Sequence, residues 1–420
     1  MPPKKVWYRK MYSLTATTRV RRAARVLSTI LVLSFIFYAH GSLRDFSSTT
    51  TALDELHGPE APIAPTEPTT NEPPILLVSA MFPLPTSKHS AEDYVYWLRE
   101  ILGPITTNIY FFTTPEFAPT IRSARGHGLP ITVDTTYSSP FHIPPLKGLE
   151  EQYRKMYALD REKSIHSPDL YAIWNAKPFL LDHAVKKLAE KQQTYTYAFW
   201  NDAGSFRTTH RYKEWPSPRR VEQIWKQGSR LAGTPQEDLF FFPLCALPGV
   251  SMRYWKEDMG PVDYDVSEGS FFGGNPKTIS WWSRTYYAYH GYYLSLGLFV
   301  GKDQTLINAL MLLFPERFIT VWYSDPLAPA HSGIIRHFDQ GHLGACGMEW
   351  FYYQFWLADS QTRDVMRELW TSWTKWANWE WWRERQKCRM TGVLALKDLL
   401  ARQFGTTWTP PARTLEIPTS

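Results

Sequence analysis

The clearest candidates for chemistry stand in the stretch TYTYAFWNDAGSFR, residues 194–207. An aromatic run typical of a strand ends there and is followed at once by Asn201, Asp202 and Gly204. A carboxylate at a strand end can hold a divalent cation between phosphate oxygens, because hard cations prefer oxygen ligands. Gly204 would let the backbone pass close to a ligand, and Arg207 would bind a phosphate. The stretch therefore predicts a ligand-binding edge that includes Asn201; the alternative is a local turn in which Asp202 accepts only backbone N–H groups.

The helix predicted over Pro168–Gln192 carries a charge where an apolar residue is expected. Ser167 is a good N-cap and Pro168 suits the first helical position. The inward stripe of this helix runs in steps of three and four residues, and Lys177 stands in its middle. An inward ammonium would meet a carboxylate or phosphate, and Asp202 on the next strand is the candidate partner. The alternative is a lysine at the edge of the stripe whose charged end reaches water.

A third candidate is the segment EGSFFGGNPKTISWW, residues 268–282. Gly273 and Gly274 lead to Asn275 as the N-cap of a helix, and such a loop would offer backbone N–H groups to an anion or to sugar hydroxyls. Glu268, just upstream, would act as a base or accept a hydroxyl hydrogen bond. A plain strand–turn–helix is the alternative.

Asp303, in the segment GKDQTLIN, either caps the helix predicted over Gln304–Phe314 or points inward with its apolar face. The segment 331–342 holds three histidines and Asp339 without the spacing of a standard metal site. One of these histidines would complete a metal site with Asp202. The chain's three cysteines allow at most one disulfide bridge, and no Cys or His pair has zinc-site spacing.

The elements that position these residues alternate between strand and helix. This alternation predicts an α/β fold around a mostly parallel sheet, whose ligands bind beyond the carboxyl ends of the strands. The predicted strands are Ile75–Ala80, Asn108–Thr113, Ile131–Thr135, Thr194–Trp200, Leu239–Leu244 and Phe318–Tyr323, and the further predicted helices are Ala91–Leu102, Arg219–Leu231 and Pro276–Leu296.

Residues 1–74 have a different character from the body. Eight of the 46 Lys and Arg residues lie in the tail 1–25, which leaves 38 basic against 40 acidic residues elsewhere. A nucleic-acid partner is therefore not expected, since its basic footprint would lie on the folded part. Residues 26–40 are apolar and uncharged apart from His40, which with the basic flank predicts a membrane anchor with a cytosolic N-terminus. A cleaved signal peptide is the alternative. Residues 41–74, rich in Ser, Thr and Pro, predict a disordered stalk.

The body divides into a domain over residues 75–330 and a helical extension over 331–420 packed on it. Trp370, Trp373, Trp376 and Trp379 recur every three residues in the extension. Aromatic residues at this spacing usually pack on a core. A platform for stacking sugars is the alternative.

The motifs IWNAKPFLLDHA, FWNDAGSFR, EGSFFGG and KDQTLIN, in this order, resemble the HtrL/YibB-like family. The resemblance spans about residues 75–323. It implies a glycosyltransferase of the GT-A type that uses a nucleotide sugar as its donor and a divalent cation, with Mn²⁺ preferred, as its cofactor. It also implies that Asp303 and Glu268 act near the reacting sugar or the acceptor. The chain departs from the Asp-x-Asp pattern of GT-A enzymes, because Asp202-Ala-Gly204 supplies a single carboxylate. A second metal ligand would come from elsewhere in the chain, or the enzyme would work without a metal and use cations such as Lys177 or Arg207.

Together these observations predict a single-pass type II membrane protein of the Golgi or endoplasmic reticulum with its body in the lumen. It would move a sugar to a glycan, protein or lipid acceptor. Asp202 would bind the metal or the diphosphate, and Lys177 and Arg207 would counter the charge of the leaving group. Two alternatives are a membrane-tethered carbohydrate-binding protein without catalysis and a glycoside hydrolase that uses Glu268 and Asp303.

Overall fold

The apolar runs of the body form the strands of one sheet. The computed structural model describes residues 72–84, 89–323, 325, 327, 346–374 and 392–418. The eight strands are β1 (Ile75–Met81), β2 (Asn108–Thr113), β3 (Ile131–Asp134), β4 (Tyr197–Asn201), β5 (Phe240–Leu244), β6 (Phe271–Gly274), β7 (Phe318–Trp322) and β8 (Leu394–Ala395). They lie in the order β3-β2-β1-β4-β6-β5-β7-β8.

All strands run in one direction except β6 and β8, which are antiparallel to their neighbours. The predicted α/β class with a mostly parallel sheet is therefore confirmed. The chain builds outward from β1 to β3 and then returns to place β4 on the other side of β1. In sheets of this kind ligands bind where the strand order reverses, beyond the carboxyl ends of the strands. That point lies between β1 and β4.

Helices cover both faces of the sheet. They are α1 (Ala91–Leu102), α2 (Ala118–Arg125), α3 (Glu150–Met156), α4 (Pro168–Glu190), α5 (Pro218–Ala232), α6 (Pro276–Ser295), α7 (Asp303–Leu313), α8 (Tyr353–Trp356), α9 (Ser360–Thr374) and α10 (Leu396–Phe404). The buried residues of α4, α6, α7 and α10 pack with Leu76 and Val78 on one face. Those of α1, α2, α5 and α8 pack with Ile75 and Leu77 on the other. The alternation along β1 thus divides the core into two layers.

The sequence patterns did not indicate β8, and they indicated β6 only through the alternative of a strand–turn–helix, which the structure confirms. Strand β6 has four residues and two of them are glycines, a composition typical of a loop rather than a strand. Strand β8 pairs with β7, so residues beyond 331 supply a strand to the same sheet as well as helices. Residues from Asn71 onward form one compact unit.

Several predictions fall on residues that the structure does not describe. The basic tail, the anchor and nearly all of the stalk lie outside the described residues, as do the histidines of segment 331–342 and the last two tryptophans of the repeat. Within the part of the chain that is described, none of the helices has the length and apolar character needed to cross a membrane.

Candidate functional site

The direction of β6 brings three distant segments to one edge of the sheet. Strand β4 ends at this carboxyl edge, and Asp202 follows it. Because β6 is antiparallel to β4, the residues before β6, including Glu268, lie at the same edge. The backbone N–H of Asp202 donates to the carbonyl of Ser270 at 2.8 Å, which continues the ladder past the strand. Helix α7 brings Asp303 to the same cluster.

Lys177 lies at the centre of this cluster and is only 3% exposed. Its Nζ lies 3.1 Å from Oδ1 and 3.2 Å from Oδ2 of Asp202. It also lies 3.1 Å from Oδ2 of Asp303 and donates to the carbonyl of Gly269 at 3.0 Å. The sequence-based alternative of a lysine reaching water does not describe this side chain.

Burial alone would lower the pKa of Lys177, but the carboxylates of Asp202 and Asp303 outweigh it and raise that pKa. An ammonium has three N–H donors, and the two carboxylates and the Gly269 carbonyl surround it. In this arrangement Lys177 orients the carboxylates through hydrogen bonds to Asp202 and to the Gly269 carbonyl and through an ion pair with Asp303.

Asp202 is the accessible member of the cluster. Its side chain is 32% exposed, against 4% for Lys177 and 5% for Asp303. Oδ1 accepts a hydrogen bond of 2.6 Å from the indole Nε1 of Trp200. The carboxylate is therefore held from the protein side by Trp200 and Lys177, while part of it faces solvent at the carboxyl edge. The sequence did not point to Trp200 as a partner.

The residues around Asp202 shape the turn. Asn201 is fully buried and donates to the Asp202 carbonyl and to Ser205 Oγ, each at 3.0 Å. A Cβ on Gly204 would lie 3.2 Å from the ring of Trp97, so the glycine lets the turn approach this ring. Both residues thus make contacts within the protein that shape the turn, and their contacts with a ligand stay a prediction.

Arg207 also contacts the turn and its surroundings. Its Nε donates to the Gly204 carbonyl at 2.9 Å. The guanidinium carbon lies 4.5 Å from the ring centroid of Trp97 and 5.2 Å from that of Phe351, a cation–π arrangement. These contacts hold Arg207 against the turn, and among the described residues no ion pair joins it to Asp202 or Asp303.

Glu268 is a buried acid beside the cluster, with 6% exposure. Its Oε1 accepts from the Ser270 N–H at 3.2 Å, and the Cys245 thiol lies 3.6 Å from Oε2. Burial, with a smaller contribution from Asp202, raises the pKa of Glu268 to about 7. A carboxyl group with this pKa exchanges its proton near neutral pH, which is the property required of a general acid or base.

Asp303 brings a second carboxylate to the cluster, whereas the segment Asp202-Ala-Gly204 contains only one. It is the first residue of α7, and its Oδ1 accepts from the N–H of Gln304 at 2.9 Å. Burial raises the pKa of Asp303 and Lys177 opposes that shift. The Lys177–Asp303 contact lacks hydrogen-bond geometry, since Oδ2 has no hydrogen-bond partner among the described residues, so it is an ion pair. A Cβ on Gly269 would lie 3.3 Å from Oδ2, and the glycine leaves room for this carboxylate.

Gly273 and Gly274 lie elsewhere, and the prediction of a binding loop is wrong for them. Both are buried in β6, where they pair with residues at the beginning of β4 and β5. A Cβ on Gly273 would lie 2.1 Å from the carbonyl of Ala198. The glycines are therefore required by close strand packing at the amino edge, away from Asp202. The predicted N-cap is confirmed, since Asn275 Oδ1 accepts from the N–H of Lys277 at 3.0 Å.

The cluster has a net negative charge. Asp202 and Asp303 carry two negative charges against one positive charge on Lys177, before Glu268 is counted. Among the described residues no group of three or more His, Cys, Asp or Glu side chains is arranged to hold a metal. The side chains present fit a cation through the partly exposed carboxylate of Asp202, and a ligand or water would have to supply the remaining oxygen ligands.

No protein-family profile matches this chain, and no curated protein matches its sequence significantly.

Proposed function

We propose that the chain is a type II membrane glycosyltransferase of the GT-A type that uses a nucleotide sugar. One observation carries the proposal: Asp202 is a partly exposed carboxylate, held by a buried lysine, at the carboxyl edge where the strand order reverses. Dinucleotides and mononucleotides bind at this place in related α/β sheets. The sheet itself is compatible with a Rossmann or GT-A-like arrangement.

In this proposal Asp202 holds a divalent cation, with Mn²⁺ preferred, against the donor diphosphate. The net charge of the cluster supports a cation in this role, because an anionic diphosphate would be repelled by the carboxylates alone. The bound cation would offset the charge that develops on the departing diphosphate. Lys177 and Asp303 then keep Asp202 in place, and Glu268 exchanges a proton at the same edge.

The membrane anchor, the Golgi or endoplasmic reticulum location and the glycan, protein or lipid acceptor belong to the same proposal.

A panel of nucleotide sugars, assayed for nucleoside diphosphate release by the full-length chain with Mn²⁺ or with chelator, tests the proposal. We expect Asp202→Asn to lower turnover about a hundredfold or more, because the amide would hold the cation less well than the carboxylate. Each loss of about 1.4 kcal/mol in transition-state stabilisation is tenfold in rate. Asp364→Asn is the matched control, since this carboxylate is 68% exposed and pairs with Arg367 on the surface. Unchanged turnover in Asp202→Asn would refute the assignment of that residue.

A membrane-tethered carbohydrate-binding protein without catalysis is the second candidate. It is favoured by the engagement of Asp303 with Lys177, which leaves one accessible carboxylate in the cluster. Such a protein would bind glycans and release no nucleoside diphosphate from any donor. A glycoside hydrolase is less well supported, because Glu268 and Asp303 are both more than nine-tenths buried and two carboxyl groups must flank the sugar in that reaction.

A further inference from the structure

The turn of α4 that carries Lys177 is interrupted by a proline. Pro178 lies inside the helix, directly after the lysine. Proline has no N–H and its ring crowds the carbonyl one turn earlier, so the helical hydrogen-bond ladder is disturbed at this point. The direction in which Lys177 projects therefore depends on the groups that take the place of the disturbed helical hydrogen bonds.

A tyrosine hydroxyl of α6 occupies the interruption. Tyr287 donates from its hydroxyl to the carbonyl of Asn175 at 2.7 Å. The same oxygen accepts from the N–H of Phe179 at 3.2 Å. These two backbone groups are partners in an uninterrupted helix, and a side chain inserted between them is a known cause of a local bend. Tyr287 thereby sets the geometry of the turn on both sides of Lys177.

The side chain of Asn175 connects this turn to Asp303. Its Nδ2 lies 3.0 Å from the carbonyls of both Val300 and Gly301, just before α7. Its Oδ1 accepts from the Tyr286 hydroxyl at 2.5 Å, which fixes the orientation of the amide. Asn175 is fully buried. One residue thus holds the backbone of the lysine turn and the segment that leads to Asp303.

We infer that Tyr287 is a positioning residue for the cluster. Its hydroxyl, through Asn175, holds the Lys177 ammonium midway between Asp202 and Asp303, and so fixes the orientation of the exposed Asp202 carboxylate. The effect on turnover rests on the proposed function, whereas the effect on the orientation of Asp202 does not.

The variant Tyr287→Phe tests this inference. Without the hydroxyl, the Phe179 N–H can bond directly to the Asn175 carbonyl, so the fold is retained while the lysine turn tightens. Tyr293→Phe is the matched control, because Tyr293 is a buried tyrosine of the same helix that donates one hydrogen bond of 2.8 Å to the Glu257 carbonyl. The primary measurement is the indole N–H resonance of Trp200 in the full-length chain with isotope-labelled tryptophan, assigned by Trp200→Phe, since this N–H donates to Asp202.

We expect Tyr287→Phe to shift the Trp200 resonance and Tyr293→Phe to leave it unchanged, with similar unfolding midpoints for both. With an active donor, Tyr287→Phe is expected to lower kcat about ten- to a hundredfold at an unchanged KM, the effect of a misplaced catalytic group. Tyr286→Phe, which releases Asn175 Oδ1, is the second variant and is expected to shift the same resonance.

A Trp200 resonance that stays unchanged in Tyr287→Phe and Tyr286→Phe would overturn the inference. Absence of turnover in the wild-type chain with every donor would contradict the proposed function and leave the resonance test intact.

Discussion

Removal of the Lys177 charge should reveal how strongly the cluster depends on one buried ammonium. At 3.1 Å and an effective dielectric constant of about 20, each carboxylate contact has a gross Coulomb energy of about 5 kcal/mol. Desolvation of the three groups offsets most of this attraction. Lys177→Met has a similar length and leaves two carboxylates without their partner, so we expect it to lower the free energy of unfolding by about 3–5 kcal/mol.

The matched control lies in the same helix. Lys186 pairs with Asp182 at 2.6 Å, but its side chain is 58% exposed. Lys186→Met should therefore cost no more than about 1 kcal/mol. The double variant Lys177→Met with Asp303→Asn should recover part of the loss, because the buried carboxylate becomes a neutral amide.

Urea unfolding of the full-length chain in detergent, followed by tryptophan fluorescence, measures these differences. Equal midpoints for Lys177→Met and Lys186→Met would refute the reasoning, because a buried and an exposed lysine would then contribute alike. A double variant less stable than Lys177→Met would refute the claim that the uncompensated charge of Asp303 causes the loss.

Two further predictions concern Glu268 and the glycines of β6. Folding raises the pKa of Glu268 from 4.5 to about 7, so between these pH values the folded state binds a proton at Glu268 that the unfolded state has lost. The contribution of Glu268 to stability therefore falls as pH rises through this range. As pH rises from 5.5 to 8, the free energy of unfolding of Glu268→Gln, measured by urea unfolding, should therefore increase by about 2 kcal/mol relative to that of wild type. Glu257→Gln changes a buried carboxyl whose pKa is lowered, so its free energy of unfolding should differ from that of wild type by a constant amount over this range. Equal pH profiles for the two variants would contradict this. Gly273→Ala should lower the stability measured by thermal unfolding by about 3 kcal/mol or more, because its Cβ would meet the Ala198 carbonyl. Gly291→Ala, in a helix with open space around the Cβ, should be neutral or stabilising. Equal melting temperatures for the two variants would be inconsistent with this packing.

The long elements could be predicted from the sequence because their signals are local. Apolar runs and caps placed β2 and α1 at their observed bounds, and the charge within the apolar stripe indicated Lys177. The contact between Lys177 and Asp202 was also predictable, since a helix followed by its strand leaves few partners for an inward charge.

The rest depends on pairings that no local pattern encodes. Asp303 reaches the cluster because β6 reverses direction, and a four-residue strand with two glycines resembles a turn. The same pattern explains why Gly273 and Gly274 were assigned to a ligand, since sequence does not distinguish a glycine that exposes its N–H from one that admits a neighbouring strand. Tyr287 carries no sequence signal, because its role arises from the position of α6 against α4.

The antiparallel direction of β6 places two different structural roles at the two ends of this strand. The connection from Cys245 to Ser270 crosses the carboxyl edge before the chain turns back into the sheet, and it exposes Tyr254 and Tyr264 by 73% and 53%. The register of β6 is fixed at the amino edge of the sheet, where Gly273 and Gly274 lack side chains and allow β4 and β5 to pack closely. The connection also carries Glu268 and the buried residues Trp255, Val262 and Val266, so it packs into the core while its two tyrosines face solvent. Substitutions at Tyr254 and Tyr264 should therefore change the surface at the carboxyl edge without altering the strand pairing of β6 at the amino edge.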